Sequence, residues 1–296
     1  MPDRPNFFLV GAPKCGTTSI YTWLKDHHEV FMPATKEPHF FADQREYRVI
    51  SNLDDYLAMY KGAGASKAIG EGSTTYLHTP GALENVREFD PNAKIIIAVR
   101  DPIGMAQSLH GHMLFFQNDN VEDFEEAWRL GAERGQGRSL PQMKKIVDPI
   151  QVNYQDMALL GKYVERALTV FPADQVKIVV ADDLSDRVAV YRDILGFLNL
   201  DDDGRTTFES QNVGKSHGKS LILKIVTGLP APVTGALRKL GFANTGLGDK
   251  LTNKFGKAQE RKPLRPEFEQ EMKDFYRSDV EKLGNILGRD LSHWVS

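Results

Sequence analysis

The chain encodes an α/β domain, a parallel β-sheet flanked by helices on both faces. Four short, uninterrupted apolar runs, at 6–11, 67–71, 94–99 and 176–181, have the continuous hydrophobicity of strands buried on both sides. Helical patterns separate these runs, and that alternation is the mark of a doubly wound sheet. The first run ends in a glycine-bounded turn, placed at the strand edge where such sheets take their ligands.

The turn lies in Phe8-Leu9-Val10-Gly11-Ala12-Pro13-Lys14-Cys15-Gly16-Thr17-Thr18-Ser19. Backbone N–H groups and a helix N-terminus favour a phosphate there, and hydroxyls and a lysine add to the attraction. The loop is P-loop-like, but Thr17 follows its second glycine and the lysine sits inside the loop as Lys14. A nucleotide kinase wants the lysine after that glycine and a Ser/Thr next to it for magnesium. The displacement points to a different phosphorylated donor.

The helix after the loop covers 17–27, with Ile20, Trp23 and Leu24 on one stripe. A second helix begins beyond Asp101-Pro102, because the proline disfavours helix at the residue before it. Others are expected at 154–170 and at 186–198, where Val188, Tyr191, Ile194, Leu195 and Leu198 recur. Residues 115–150 are polar and less periodic, suited to helices and loops at the rim. A final helix runs from Arg265 to Leu287, with Phe268, Met272, Phe275, Tyr276, Leu283 and Leu287 on its core face and Gly288 as its C-cap. Between these, 214–263 is rich in Gly, Pro and Lys. It reads as a helical excursion of the single domain 1–296, with a lid or a surface-binding segment as alternatives.

Composition narrows the field. A formal charge of −3 over 296 residues argues against a uniformly basic nucleic-acid surface. One cysteine permits no intramolecular disulfide and fits a reducing compartment. No apolar stretch approaches the ~20 residues of a membrane span, and the first residues lack a signal-peptide pattern. The expectation is a soluble cytoplasmic protein.

A second anion site is expected at the end of the 94–99 strand. Arg100 sits at a strand C-terminus, and Ser108 lies on the following helix, on the same face as Gly104. A guanidinium grips phosphate with two donors. Pairing of Arg100 with Asp101 or Asp182 is the structural alternative. His110 and His112 read as helix surface rather than a metal site, and no metal is expected.

These residues resemble the sulfotransferases that use 3′-phosphoadenosine 5′-phosphosulfate. Pro13-Lys14-Cys15-Gly16-Thr17-Thr18-Ser19 is similar to the family's 5′-phosphosulfate loop. Ala98-Val99-Arg100-Asp101-Pro102 with Ser108 is similar to its 3′-phosphate motif. Lys36-Glu37-Pro38-His39-Phe40-Phe41 and Gly70-Glu71-Gly72-Ser73-Thr74-Thr75-Tyr76 resemble segments of the glycosaminoglycan-type branch, and the order of elements fits through Val180-Ala181-Asp182-Asp183-Leu184 to Trp294. The resemblance implies that Lys14 eases departure of the leaving phosphate. Lys14, Cys15, Gly16, Thr17, Thr18 and Ser19 would hold the 5′ end of the donor, and Arg100 and Ser108 the 3′-phosphate. It makes Glu37 the base that takes the acceptor's proton, with His39 as rival. Glu71 either lines the acceptor pocket or pairs structurally.

A basic loop late in the family closes over the 3′-phosphate. Here 212–220, with Lys215 and Lys219, takes that place but lacks the Arg-Lys-Gly or Lys-Gly-Arg signature. The implied activity is sulfuryl transfer to a hydroxyl or amine of a small-molecule, carbohydrate or lipid acceptor, with a carbohydrate or glycolipid foremost. Lys224, Arg238, Lys239, Lys250 and Lys254, set among apolar residues, suit an acidic glycan or a membrane surface. A P-loop phosphotransferase and a nucleotide-binding module without catalysis are the competing readings.

Overall fold

The computed structural model describes residues 3–42, 48–142, 148–208, 215–216, 257–258 and 263–296. The chain divides into two compact units, Met1–Gln211 with Pro263–Ser296, and Asn212–Lys262. In the second, Lys215–Ser216 pairs antiparallel with Lys257–Ala258. The remainder of the expected excursion, Lys219 included, lies outside the described residues.

The first unit is built on a five-stranded sheet. Its strands are β1 (Phe7–Gly11), β2 (Val30–Phe31), β3 (Ala68–Gly72), β4 (Lys94–Val99) and β5 (Val176–Val180), in the order β2-β3-β1-β4-β5. Every pairing is parallel. Four strands fall on the four apolar runs. The fifth, β2, has two residues, too few for a hydrophobic run to register. Every residue of β1 and β3 is buried, as a sheet covered on both faces demands. The chain runs from β1 outward to one side and then crosses back to β4 on the other. The ends of β1, β3 and β4 therefore meet at the point where strand order reverses, the crevice that doubly wound sheets use for ligands.

The helices in chain order are α1 (Thr17–Lys25), α2 (Leu53–Ala58), α3 (Ala82–Phe89), α4 (Pro102–Phe115), α5 (Phe124–Arg129), α6 (Gly131–Gly135), α7 (Tyr154–Met157), α8 (Leu160–Val170), α9 (Arg187–Leu198) and α10 (Pro266–Leu287). Asp101 caps α4: its Oδ1 accepts the Gly104 amide at 2.6 Å, and Pro102 stands at the first helical position. Gly288 closes α10 in the left-handed conformation, as its position requires. The stretch 154–170 is two helices rather than one. The second of them, α8, is capped from α10, where Asp279 Oδ2 and Oδ1 accept the Gly161 and Lys162 amides at 2.7 and 2.8 Å. Phe275 departs from the expected core face. It is 42% exposed and presents only its edge to Trp128.

The described residues of the polar stretch 115–150 include a buried ion pair. Arg134 Nη1 and Nη2 donate to Asp119 Oδ2 and Oδ1 at 2.7 and 3.0 Å, with both side chains fully buried. Tyr154 Oη donates to Asp119 Oδ2 at 2.6 Å, and Arg134 Nη1 also reaches the Val152 carbonyl at 3.1 Å. Those hydrogen bonds hold the Asp119 carboxyl below its ordinary range despite burial, which opposes them.

Candidate active site

The site is assembled by three strand ends. After β1 the chain turns through Lys14, which takes a left-handed φ of 67°, and Gly16 at φ 89°. Gly16 is the residue before α1, and its carbonyl accepts the Ser19 amide at 2.9 Å. A glycine suits that left-handed turn, where any other residue is strained. Thr17 is buried, whereas Thr18 and Ser19 are half-buried in the first turn. Cys15 takes no open position. Its side chain is 1% exposed, its thiol contacts the Pro13 carbonyl at 3.5 Å, and its amide donates to the Ala12 carbonyl. Burial pushes the thiol up to about 12, so the Cys15 side chain is a neutral thiol packed in the core under the loop.

After β4, Arg100 leans across to the β1 loop. Its Nη1 donates to the Lys14 carbonyl at 3.3 Å, and its Nη2 pairs with Asp101 Oδ2 at 3.3 Å. Its Nε is buried and has no hydrogen-bond partner among the described residues. A Cβ on Gly104 would come within 2.9 Å of Arg100 Nη2 and 2.4 Å of Asp101 Oδ2, so the glycine makes room for the guanidinium. Ser108 stands one turn further along α4, half-buried. Asp182, the other expected partner of Arg100, is engaged elsewhere. It accepts from the Trp294 indole and contacts the His293 ring, each at 2.9 Å.

After β3, the turn 73–75 holds the segment 36–41. The Glu37 amide donates to the Gly72 carbonyl at 3.0 Å, and the His39 amide to Ser73 Oγ at 3.1 Å. Glu37 and His39 have left-handed φ values of 58° and 53°. Thr74 Oγ1 donates to Glu37 Oε1 at 3.2 Å, Lys36 Nζ lies 3.8 Å from that oxygen, and His39 Nε2 is 3.5 Å from Glu37 Oε2. His39 Nδ1 bonds to Thr75 Oγ1 at 3.0 Å. Burial lowers the His39 pKa, against the opposing pull of Glu37, so the ring is neutral near pH 7. Lys36 Nζ also donates to Thr18 Oγ1 at 2.9 Å, tying this segment to the β1 loop.

Three further side chains surround these strand ends. The histidines of α4 are not plain helix surface. His110 is buried with Nε2 on the Val121 carbonyl at 2.8 Å. His112 is pushed down to about 3, first by burial and then by the charges of Lys14 and Lys36, so it faces the same edge as those lysines. Its spacing of four from Ser108 is the helical signal for that placement. Glu71 lines no open pocket. It is completely buried, with Tyr56 Oη donating to its Oε2 at 2.6 Å. Lys215 lies on the short strand of the second unit.

A parallel sheet with a lysine-bearing anion loop after its first strand, and a second cation at the end of a neighbouring strand, defines a P-loop-like protein. Within that class the chain belongs to the sulfotransferase family, whose sulfotransferase-domain pattern matches residues 4–217. A crystal structure of a sulfotransferase from Alicyclobacillus acidocaldarius is similar over 99% of both chains, with a TM-score of 0.72 and 26% identity. Human carbohydrate sulfotransferase 15 is 29% identical over 167 residues, 41% of this chain and 29% of the relative. Human bifunctional heparan sulfate N-deacetylase/N-sulfotransferase 3 is 25% identical over 205 residues, 67% of this chain and 23% of the relative. The chain spans less than half the length of these curated relatives.

Proposed function

We propose that this chain transfers a sulfuryl group from 3′-phosphoadenosine 5′-phosphosulfate to a hydroxyl or amine of a carbohydrate acceptor. One observation carries the reading: the Arg100 guanidinium is hydrogen-bonded to the backbone of Lys14 at 3.3 Å, so two cationic anchors share one sheet edge. A donor with phosphates at both its 5′ and 3′ positions needs two such anchors, whereas ATP needs one continuous cradle. The unpartnered buried Nε of Arg100 is a donor that an anion would satisfy. Carbohydrate acceptors fit the names of the two human relatives.

In the reaction the acceptor atom attacks sulfur in line with the bond from sulfur to the bridging oxygen, which breaks to release 3′-phosphoadenosine 5′-phosphate. Sulfuryl transfer asks chiefly for alignment and for stabilisation of charge on the leaving oxygen. Lys14 supplies the charge, Thr17, Thr18 and Ser19 cradle the 5′-phosphate, and Arg100 with Ser108 takes the 3′-phosphate. Glu37 accepts the acceptor's proton. His39, committed to Thr75 through Nδ1, orients Glu37 through Nε2.

Calorimetry without magnesium tests the donor. 3′-phosphoadenosine 5′-phosphate should bind at least about tenfold tighter than AMP, because a charge-assisted phosphate contact contributes about 1.5–3 kcal/mol. Labelled donor offered to desulfated glycan, lipid and phenol pools then tests the acceptor, with label expected on the glycan. Magnesium-dependent ATP binding in preference to the bisphosphate would overturn the assignment.

A further inference from the structure

Glu71 is a buried carboxyl that the proposed transfer does not consume, yet it underlies the segment carrying the base. Tyr56 Oη donates to its Oε2 at 2.6 Å and Tyr76 Oη at 3.3 Å. Each tyrosine in turn fixes one residue of the segment. Tyr76 Oη accepts the Phe41 amide at 3.0 Å, and the Tyr56 ring stacks on Phe40 with centroids 4.2 Å apart and planes within 13°. The same strand end meets the other half of the segment, through Gly72 O to the Glu37 amide and Ser73 Oγ to the His39 amide. Oε1 of Glu71 is buried without a hydrogen-bond partner among the described residues.

A carboxyl left half-satisfied in the core is an expensive choice if packing were its only purpose. A left-handed backbone at both Glu37 and His39 also needs enforcement from its surroundings. We propose that Glu71 is a positioning residue: through Tyr56 and Tyr76 it pins segment 37–41 and thereby aims the Glu37 carboxylate at the acceptor. The inference rests on the transfer reading above for its catalytic meaning, but the bracing itself does not.

Burial first, and then the charge of Glu37, raise Glu71 to about 7 against the hydrogen bonds of Ser73, Tyr56 and Tyr76. The groups around it are Tyr21 from α1, Tyr56 and Tyr60 from α2 and its end, Ser73 and Tyr76 after β3, and Glu37. The brace therefore tightens as Glu71 ionises, since an ionised acceptor makes the stronger hydrogen bond.

The test compares wild type, Glu71→Gln and Tyr76→Phe by amide hydrogen exchange and by steady-state kinetics. Glu71→Gln keeps an acceptor for the tyrosines and removes the charge. Exchange should rise across 37–41 while β1 and β4 stay as protected as before. Turnover should fall about tenfold or more, as small misplacements of a reacting group do, with the donor KM within about twofold, since ground-state binding is untouched. The wild-type kcat profile should carry an inflection near neutrality that Glu71→Gln lacks. Tyr76→Phe should show the same exchange pattern, and it decides the matter if Glu71→Gln does not fold. Unchanged exchange at 37–41, or a rise spread evenly over the sheet, overturns the proposal. A wild type that binds no bisphosphate and transfers no label overturns the transfer reading instead, and exchange alone then judges the brace.

Discussion

The Asp119–Arg134–Tyr154 cluster and the Glu37–His39–Lys36 cluster are made of the same materials, a carboxylate met by a cation and a hydroxyl. In the first, a bidentate guanidinium and a phenol surround Asp119, and the ion pair is sealed from water. In the second, Glu37 stays about one-third exposed, its lysine stands 3.8 Å away, and its histidine is uncharged. A carboxylate whose partners are complete can only hold structure together. One whose partners are distant or neutral keeps the capacity to take a proton. Completeness of pairing, rather than residue type, distinguishes these two clusters.

Four measurements would break or sharpen that contrast. The largest effect is expected from Glu37→Gln: a loss of roughly 10²–10⁴-fold in transfer, the range of general-base contributions, with bisphosphate affinity unchanged by calorimetry. Full activity in that variant would move the base elsewhere, first to His39. Arg134→Ala should cost about 3–5 kcal/mol of stability in urea unfolding, because Asp119 is left charged and buried without its countercharge. A loss below about 1 kcal/mol, the value of an exposed pair, would show the cluster to be wet. Arg100→Ala should weaken bisphosphate binding by about 2 kcal/mol through one lost charge-assisted contact, with little change in melting temperature. Wild-type affinity there would sever Arg100 from the donor.

The smallest effect concerns His78, which is buried like Asp119 and, like it, loses its linked stability as pH falls. Its ring is buried, Nε2 donates to the Met157 carbonyl at 2.9 Å, and burial pushes its pKa down to about 4. The unfolded chain thus binds this proton more readily than the folded one. The stability linked to His78 is complete above about pH 6.5 and is lost as pH falls towards about 4. Melting temperatures of His78→Gln should decline less steeply over that window than those of wild type. Parallel slopes would remove His78 as the titrating group.

Much of the architecture was legible because its signals are local. The runs 94–99 and 176–181 are β4 and β5 almost residue for residue: β4 is buried after Lys94, and edge strand β5, half-buried around Lys177, keeps an otherwise apolar run. Pro102 announced the start of α4, because a proline disfavours helix at the residue before it. The Lys14 loop and Arg100 could be placed on one edge because both follow parallel strands. What stayed hidden depends on partners distant in the chain. The Tyr56 and Tyr76 bonds to Glu71 leave no periodicity to read. The break at 158–159 lies within an apolar pattern that continues across it. His112 was legible in principle from its spacing to Ser108, but only once that helical face is known to look onto the lysines.

Lys14, Glu37 and His39 share a backbone handedness that glycine would adopt without penalty. Any drift of this lineage towards heat tolerance meets a conflict at those three places. Swapping in glycine would relieve up to roughly 1–2 kcal/mol of torsional burden at each, and would delete an ammonium, a carboxylate and an imidazole. Selection for robustness alone would erode them first, so homologues that have abandoned catalysis should be recognisable by glycine or asparagine at these positions.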